Sequence, residues 1–205
     1  MPDAGHVLLD ADGVLQDLPG GWFEGVRPWL GDRAEQFIHD SWATEAACLR
    51  GEADFLEHLG AHLAAYAVDV AVEELFAAVW TSIEVVPSSI ELVHRLRAAG
   101  YGVHLGTNQE RHRAAYMRTT LGYDELFDVS CYSYELGAVK PEPAYFERAV
   151  ERIGVGPGEV VFVDDRLDNV ESARSVGLAG VHWTFLDGLA ELESQLARHG
   201  VRLGR

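Results

Sequence analysis

Four short polar motifs have residue types that could together carry out phosphoryl chemistry. They are Asp10-x-Asp12 after HVLL, Thr107-Asn108 after VHLG, Lys140-Pro141, and Asp164-Asp165 after VVFV. Paired carboxylates can act as nucleophile and general acid/base or hold a divalent cation, while lysine and threonine can bind phosphate oxygens. The motifs therefore predict one site for a cation and an oxyanion, provided that the fold brings them together.

The segments before three of these motifs indicate how they are positioned. A short apolar run followed by polar residues or glycine is typical of a buried strand in a parallel sheet. In open α/β sheets, ligands bind in the crevice outside the carboxyl ends of the strands. If these strands are neighbours, four acids, a threonine and a lysine meet at one edge of the sheet.

The chain after Pro87 alternates between helical and strand patterns. Helices are predicted over 88–99, 110–121, 142–153, 168–176 and 187–199, and strands over 102–106, 128–132, 159–163 and 179–183. This alternation is typical of βαβ units. The predicted fold is therefore α/β, with a doubly wound parallel sheet.

An additional helical segment separates the first two motifs. Asp12 and Thr107 have 94 residues between them, whereas a βαβ unit takes about 30. Apolar residues recur at helical spacing over 32–83, which predicts three or four helices. We expect a core of residues 1–15 and 84–205 and an all-helical cap of residues 16–83. Because the cap follows the first strand, it would cover the site as a lid.

Composition limits the class of partner. The net charge is −17 with no basic patch, which argues against nucleic acid or a membrane surface. Cys48 and Cys131 are too few for a disulfide framework, and no segment approaches the roughly 18 apolar residues of a membrane span. We expect a cytoplasmic monomer or homodimer with buried thiols.

Each motif taken alone has an ordinary structural explanation. Asp-Gly is a common turn, Thr107 or Asn108 can cap a helix, and most lysines lie on the surface. Asp164-Asp165 is the most informative pair, because adjacent acids repel each other unless a cation is near. Mg²⁺ binds to one or two carboxylates together with phosphate and water. Asn169 could hold these acids or a water ligand.

The four motifs together resemble a known family. DADGVL at 10–15, TN at 107–108, KPEP at 140–143 and VFVDDRLDN at 161–169 look like the ordered motifs of the haloacid dehalogenase-like (HAD) hydrolase superfamily. The resemblance spans nearly the whole chain, and the helical segment is similar to the family's C1-type cap. It implies a Rossmann-like core with an inserted helical cap.

The resemblance implies roles for the residues that would handle phosphate. Asp10 would attack phosphorus and become an aspartyl phosphate, and Asp12 would be the acid/base. Thr107 would bind phosphate and Asn108 would help to position it. Lys140 would steady both the nucleophile and the phosphate.

The resemblance also implies a Mg²⁺ site. Asp10 and the backbone carbonyl of Asp12 would be ligands, together with Asp165, which would bind the ion directly. Asp164 would contribute through water, and Asn169 would support the loop.

The predicted function is a Mg²⁺-dependent phosphatase. Its predicted substrate is a small phosphate ester, for example a sugar phosphate. A sugar phosphomutase of the same superfamily is the alternative, although the cap shows no clear acid/base pattern. A haloacid dehalogenase is less favoured, because such members usually lack the acid at Asp12. A phospho-receiver module would have its paired acids before the phosphorylated aspartate, whereas in this chain the pair comes last. A catalytically dead scaffold would have lost motif side chains, and all of them are present here.

Overall fold

The structure, a computed structural model, describes residues 4–203, so residues 1–3 and 204–205 of the predicted core lie outside the description. The strands are β1 (His6–Leu9), β2 (Gln16–Asp17), β3 (Glu84–Val85), β4 (Gly102–Thr107), β5 (Val129–Tyr132), β6 (Val160–Asp164) and β7 (Ala179–His182). Five of them form a parallel sheet in the order β5-β4-β1-β6-β7. The predicted α/β class is confirmed.

Helices connect the strands and also form the segment between β2 and β3. That segment contains α1 (Gly21–Leu30), α2 (Ala34–Thr44), α3 (Ala46–Leu49), α4 (Phe55–Ala65) and α5 (Val72–Val79). The remaining helices are α6 (Pro87–Ala98), α7 (Arg111–Thr119), α8 (Tyr123–Leu126), α9 (Ser133–Leu136), α10 (Pro143–Ile153), α11 (Leu167–Ser175) and α12 (Leu189–Arg198).

Both faces of the sheet are covered, as a doubly wound fold requires. Successive residues of a strand point to opposite faces. Val7 and Leu9 of β1 pack in one apolar cluster with residues of α6, α7 and α12. Leu8 packs in another cluster with residues of α10 and α11. The sheet is thus buried on both sides, which explains its nearly continuous apolar strands.

The strand order explains why the motifs meet. β1 lies between β4 and β6, and all three run in the same direction. Their carboxyl ends place Asp10, Thr107 and Asp164 at one edge of the sheet. The crevice predicted from the sequence is therefore formed by adjacent strands.

The helical segment over α1–α5 has its own apolar cluster. Phe37, Leu59, Leu75 and Val79 are among its buried members. It joins the core through an antiparallel ribbon in which β2 pairs with β3. The sequence pattern does not predict this ribbon, because each of its strands has only two residues, and the predicted helical spacing over 32–83 begins after α1.

The helical segment also contacts the core away from the ribbon. Arg50 forms an ion pair with Glu142, which precedes α10. His112 Nε2 at the start of α7 lies 2.8 Å from Asp54 Oδ2, which caps α4. The segment is therefore held over the strand ends by polar contacts.

Two predictions from composition can be compared with the described residues. Within residues 4–203, no helix combines the length and apolar character needed to cross a bilayer. Cys48 and Cys131 are both free and buried, as expected.

A histidine pair between β1 and β4 predicts acid sensitivity. His104 is buried and stacks on His6, with 3.0 Å between His6 Nδ1 and His104 Nε2. Burial, with a smaller contribution from His6, lowers the pKa of His104 from 6.5 to about 4. Between these values the unfolded chain takes up a proton that the folded chain excludes, so stability should fall as pH decreases from 6.5 to 4. The expected loss is about 3 kcal/mol.

The test is urea unfolding at pH 7 and pH 4 for the wild-type chain and for His104→Leu. The variant should lose less stability than the wild type over this interval. His94→Leu, which removes an exposed histidine, is the control and should behave as the wild type. An equal acid-induced loss in His104→Leu and the wild type would contradict the assignment.

Candidate active site

A buried lysine lies between two of the predicted carboxylates. Lys140 Nζ is 2.7 Å from Asp10 Oδ1 and 2.7 Å from Asp164 Oδ2, and it donates to the carbonyl of Gly106 at 2.9 Å. Burial lowers the pKa of Lys140, but the two carboxylates outweigh it and hold the pKa above its usual value. The ammonium is therefore fixed in its charged form between Asp10 and Asp164.

One ammonium does not neutralise this group of acids. Burial raises the pKa of Asp10 well above its usual value, Lys140 lowers it and Asp164 raises it again. Burial also raises the pKa of Asp165, with Asp164 adding to the effect. A second positive charge at this place would relieve both carboxylates.

The arrangement of these acids fits a divalent cation. Asp10, Asp164 and Asp165 each offer an oxygen, and the three oxygens lie within 4.8 Å of one another. Mg²⁺ favours carboxylate oxygens and keeps several positions for water and phosphate. The residues present therefore fit the predicted ion.

The carboxylates of Asp164 and Asp165 differ in how many hydrogen bonds they accept. Asp164 accepts hydrogen bonds from Lys140 Nζ, from Asn169 Nδ2 at 3.0 and 3.1 Å, and from the backbone of Arg166 at 2.8 Å. Within residues 4–203, no side chain donates to the carboxylate of Asp165. Asp165 has more free ligand capacity, while Asn169 holds Asp164 in place.

Asp12 is bound by an arginine that the motif pattern does not indicate. Arg113 donates from Nη1 to Asp12 Oδ2 at 2.7 Å and from Nη2 to Oδ1 at 2.8 Å. Gln16 and Gln109 each add a hydrogen bond at 2.9 Å. Burial raises the pKa of Asp12, but Arg113 and these hydrogen bonds outweigh it and lower the pKa to about 2. Asp12 is therefore an ionised carboxylate here, in the form that accepts a proton.

Arg113 connects this carboxylate to the helical segment. Its Nε donates to the carbonyl of Trp80 at 2.8 Å, and its guanidinium lies 5.2 Å from the centre of the Trp22 ring. Nη1 also donates to Gln109 Oε1 at 2.9 Å. A single buried side chain thus contacts Asp12, the end of α5 and the start of α1.

Thr107 and Asn108 occupy different places at the end of β4. The hydroxyl of Thr107 accepts from Gln109 Nε2 at 3.2 Å. Asn108 Nδ2 donates to the carbonyl of Lys140 at 2.9 Å, and Asn108 Oδ1 accepts from the backbone of Lys140 at 2.8 Å. Asn108 therefore fixes the backbone that carries Lys140.

The predicted residues border a cavity of about 560 Å³ between the core and the helical segment. Seven of the eight contribute to its lining, whereas Asp164 lies fully buried beneath it. The helical segment contributes Trp22, Trp42, Glu45 and Phe55 to the same cavity, together with Trp80 at its end. The cavity thus has a charged side at the strand ends and an aromatic side formed by the helices.

Sequence reasoning missed Arg113, Gln109 and Glu45 as lining residues. Gln109 follows Thr107-Asn108 directly and could have been included with that motif. Arg113 is 101 positions from its partner Asp12, and Glu45 lies at the junction of α2 and α3. Neither of these two has a spacing that links it to the motifs.

Gly13 allows Asp165 to approach the first motif, which gives a testable prediction. Gly13 has φ +78°, and a Cβ there would lie 2.5 Å from Asp165 Oδ2. Gly13→Ala should therefore displace Asp165 and lower turnover by about 10²-fold, a typical cost of a misplaced active-site group. Gly100→Ala is the matched control, since Gly100 has φ +88° and nothing within 4 Å of its built Cβ. Equal rates of phosphate release from p-nitrophenyl phosphate by the two purified variants would contradict this role.

Comparison with known proteins identifies the family. A model of haloacid dehalogenase-like hydrolases matches residues 5–177. The chain belongs to this family. A HAD family enzyme of Bacteroides thetaiotaomicron, solved as a magnesium complex, has a TM-score of 0.79 at 22% identity, over 93% of this chain and 98% of that one. This likeness confirms the HAD fold.

Curated relatives match a shorter part of this HAD hydrolase. A sesquiterpene phosphatase of Aspergillus oryzae is 33% identical over 99 residues, which is 48% of this chain and 50% of that protein. A pyrophosphatase of Bacillus cereus is 31% identical over 106 residues, 51% of this chain and 49% of that protein. The chain therefore spans about half the length of the curated relatives it matches.

Proposed function

We propose that this HAD hydrolase is a Mg²⁺-dependent phosphatase that hydrolyses a small phosphorylated metabolite through an aspartyl phosphate on Asp10. The observation that carries the proposal is the position of Lys140 between Asp10 and Asp164, with Asp165 beside them. In this proposal, a cation site and a nucleophile share one edge of the sheet. The phosphatase names of the matched relatives support the same reaction class.

Asp10 is prepared for attack by its hydrogen bonds. Ala11 donates its backbone N–H to Asp10 Oδ1 at 2.7 Å, and Lys140 reaches the same oxygen. Within residues 4–203, no donor reaches Oδ2 of Asp10, so this oxygen is available to attack phosphorus. The bond from Oδ2 to phosphorus forms as the bond from phosphorus to the leaving oxygen breaks.

Asp12 would transfer a proton in both halves of the reaction. It would carry a proton to the leaving alcohol oxygen and then accept a proton from the water that attacks the aspartyl phosphate. Hydrolysis of that intermediate releases phosphate and restores the Asp10 carboxylate. Because Arg113 and two glutamines hold Asp12 ionised, we expect substrate binding to loosen these contacts before Asp12 donates.

Thr107, Lys140 and a bound cation would share the phosphate oxygens. Asp10, Asp165 and the backbone carbonyl of Asp12 would hold Mg²⁺, with Asp164 contributing through water. When bound, Mg²⁺ would offset negative charge on the phosphoryl group. Asn108 would keep Lys140 in position, and Asn169 would do the same for Asp164.

The helical segment of residues 16–83 would act as the cap in this scheme. It borders the cavity opposite the acids and is held to the core by the Arg50–Glu142 and Asp54–His112 contacts. A cover excludes water from the phosphoryl group and strengthens the electrostatic interactions beneath it.

Phosphate release from p-nitrophenyl phosphate with Mg²⁺ is the direct test of the proposal. EDTA should remove activity and added Mg²⁺ should restore it, because Asp10 and Asp165 need a cation between them. Heat-treated protein is the control for background hydrolysis. Full activity in EDTA would contradict the metal requirement. Conversion of a hexose 1-phosphate to its 6-phosphate isomer, without release of phosphate, would instead indicate a mutase.

A further inference from the structure

The part of the cavity lined by tryptophans has an unusual combination of side chains, which we name the aromatic chamber. It is lined by Trp22, Trp42, Phe55 and Trp80, with the carboxylates of Glu45 and Glu110. None of these six side chains has a part in the phosphoryl chemistry described above. In a phosphatase this space would hold the alcohol part of the ester.

The aromatic rings of the chamber form a continuous wall. The ring centres of Trp22 and Trp80 are 5.7 Å apart, and those of Phe55 and Trp80 are 5.4 Å apart. Trp42 packs edge-on against Trp22 at 6.5 Å and remains 39% exposed. Phe55 and Trp80 are almost fully buried, so Trp22 and Trp42 present most of the ring surface of this wall to a bound group.

One of these rings already binds a cation. The guanidinium of Arg113 lies 5.2 Å from the centre of Trp22, which is within the range of cation–π attraction. That positive charge is matched by Asp12, which Arg113 binds with two hydrogen bonds. Arg113 therefore brings little net positive charge into the chamber.

Glu45 is the chamber's unpaired carboxylate. Within residues 4–203, no group donates a hydrogen bond to its carboxylate and no cation pairs with it. Burial raises the pKa of Glu45 to about 7, with a further increase from Glu110 and a decrease from Arg113. Glu110 uses its carboxylate to cap α7 at the backbone of His112 and Arg113. Glu45 thus has an open partner position, which a cationic group of a bound molecule could fill.

We propose that the aromatic chamber binds a positively charged amine, so that the substrate is the phosphate monoester of an amino alcohol. This inference rests on the proposed phosphatase function. Aromatic faces together with a carboxylate are the groups that recognise alkylammonium ions. An anionic leaving group would meet Glu45 and Glu110, whose carboxylates would repel it. A sugar would present several hydroxyls to a wall with few hydrogen-bonding groups.

Two esters of the same shape test the charge requirement directly. Phosphocholine and 3,3-dimethylbutyl phosphate differ only in a quaternary nitrogen in place of a carbon, so both fill the chamber equally. The value of kcat/KM, measured by phosphate release with Mg²⁺, should be at least tenfold higher for phosphocholine. Phosphoglycolate, whose leaving group is anionic, should be the poorest substrate of the three.

Glu45→Gln tests whether this carboxylate is the source of the preference. The ratio of kcat/KM for phosphocholine over 3,3-dimethylbutyl phosphate should fall at least fivefold in this variant. Glu52→Gln, at an exposed position of the same helical segment, is the matched control and should keep the wild-type ratio.

The possible results separate this inference from the proposed function. Turnover of p-nitrophenyl phosphate with no preference for phosphocholine over its neutral isostere would overturn the inference and leave the phosphatase standing. A preference for phosphoglycolate over phosphocholine would also overturn the inference and leave the phosphatase standing. If p-nitrophenyl phosphate and all three esters are inert, the proposed function fails, and the inference fails with it. An unchanged ratio in Glu45→Gln would overturn the role given to Glu45.

Discussion

Replacement of Asp10 by asparagine should abolish phosphate release and leave the protein folded. The amide cannot attack phosphorus, so kcat should fall by at least about 10⁴-fold, in keeping with the loss of other catalytic nucleophiles. Stability should not decrease, because burial and Asp164 raise the pKa of Asp10 and make its charge costly. Lys140 keeps its ion pair with Asp164 in this variant.

The measurement combines phosphate release with thermal unfolding of the purified variant. Asp69→Asn makes the same chemical change at an exposed position and should match the wild type in both. An active Asp10→Asn protein would exclude the aspartyl phosphate. An inactive variant with an unchanged or higher melting temperature would indicate that function, and not folding, is lost.

Replacement of Arg113 by methionine should have the second largest effect, on both turnover and stability. Methionine fills part of the space but leaves Asp12 without its two guanidinium bonds and Trp80 without a donor for its carbonyl. The expected loss of stability is about 2–3 kcal/mol. It is lower than for a fully buried pair, because the Asp12 side chain is 40% exposed.

Turnover in Arg113→Met should fall by roughly 10²–10⁴-fold, the usual contribution of a positioned acid/base. Arg113→Lys should recover only part of this loss, because an ammonium cannot form the paired hydrogen bonds of a guanidinium. Arg111→Met is the matched control on the exposed side of α7 and should stay close to wild type. Wild-type turnover in a folded Arg113→Met protein would show that Asp12 needs no such partner.

The sequence predicts most helices and strands of the core because the patterns that mark them involve residues close together in the chain. The predicted helix over 142–153 is observed as Pro143–Ile153, and the predicted strand over 159–163 as Val160–Asp164. Apolar runs followed by polar residues mark strands whose burial on both faces requires such runs. The strand order β4-β1-β6 then places the ends of these strands at one edge of the sheet. The start of α6 differs slightly: the helix is predicted from residue 88 but begins at Pro87, because proline suits the first helical position.

The remaining features depend on contacts between distant segments. Arg113 reaches Asp12 only because α7 follows β4 and turns its third residue toward the end of β1. The aromatic chamber depends on the packing of α1, α2 and α4 against the core, and helical periodicity alone does not set that packing. Sequence spacing therefore indicates the residues of the four motifs better than it indicates the residues of the aromatic chamber.

The β2–β3 ribbon also affects how easily the helical segment between its strands can be exchanged. Its paired residues, Gln16 with Val85 and Asp17 with Glu84, bring the two ends of the helical segment side by side. A segment with adjacent ends can be exchanged for one of different length without a change in the register of the parallel sheet. The ribbon thus makes the region a replaceable module. In the proposed phosphatase, the residues that face the leaving alcohol can therefore change while the strand ends that carry Asp10 and Asp164 stay the same.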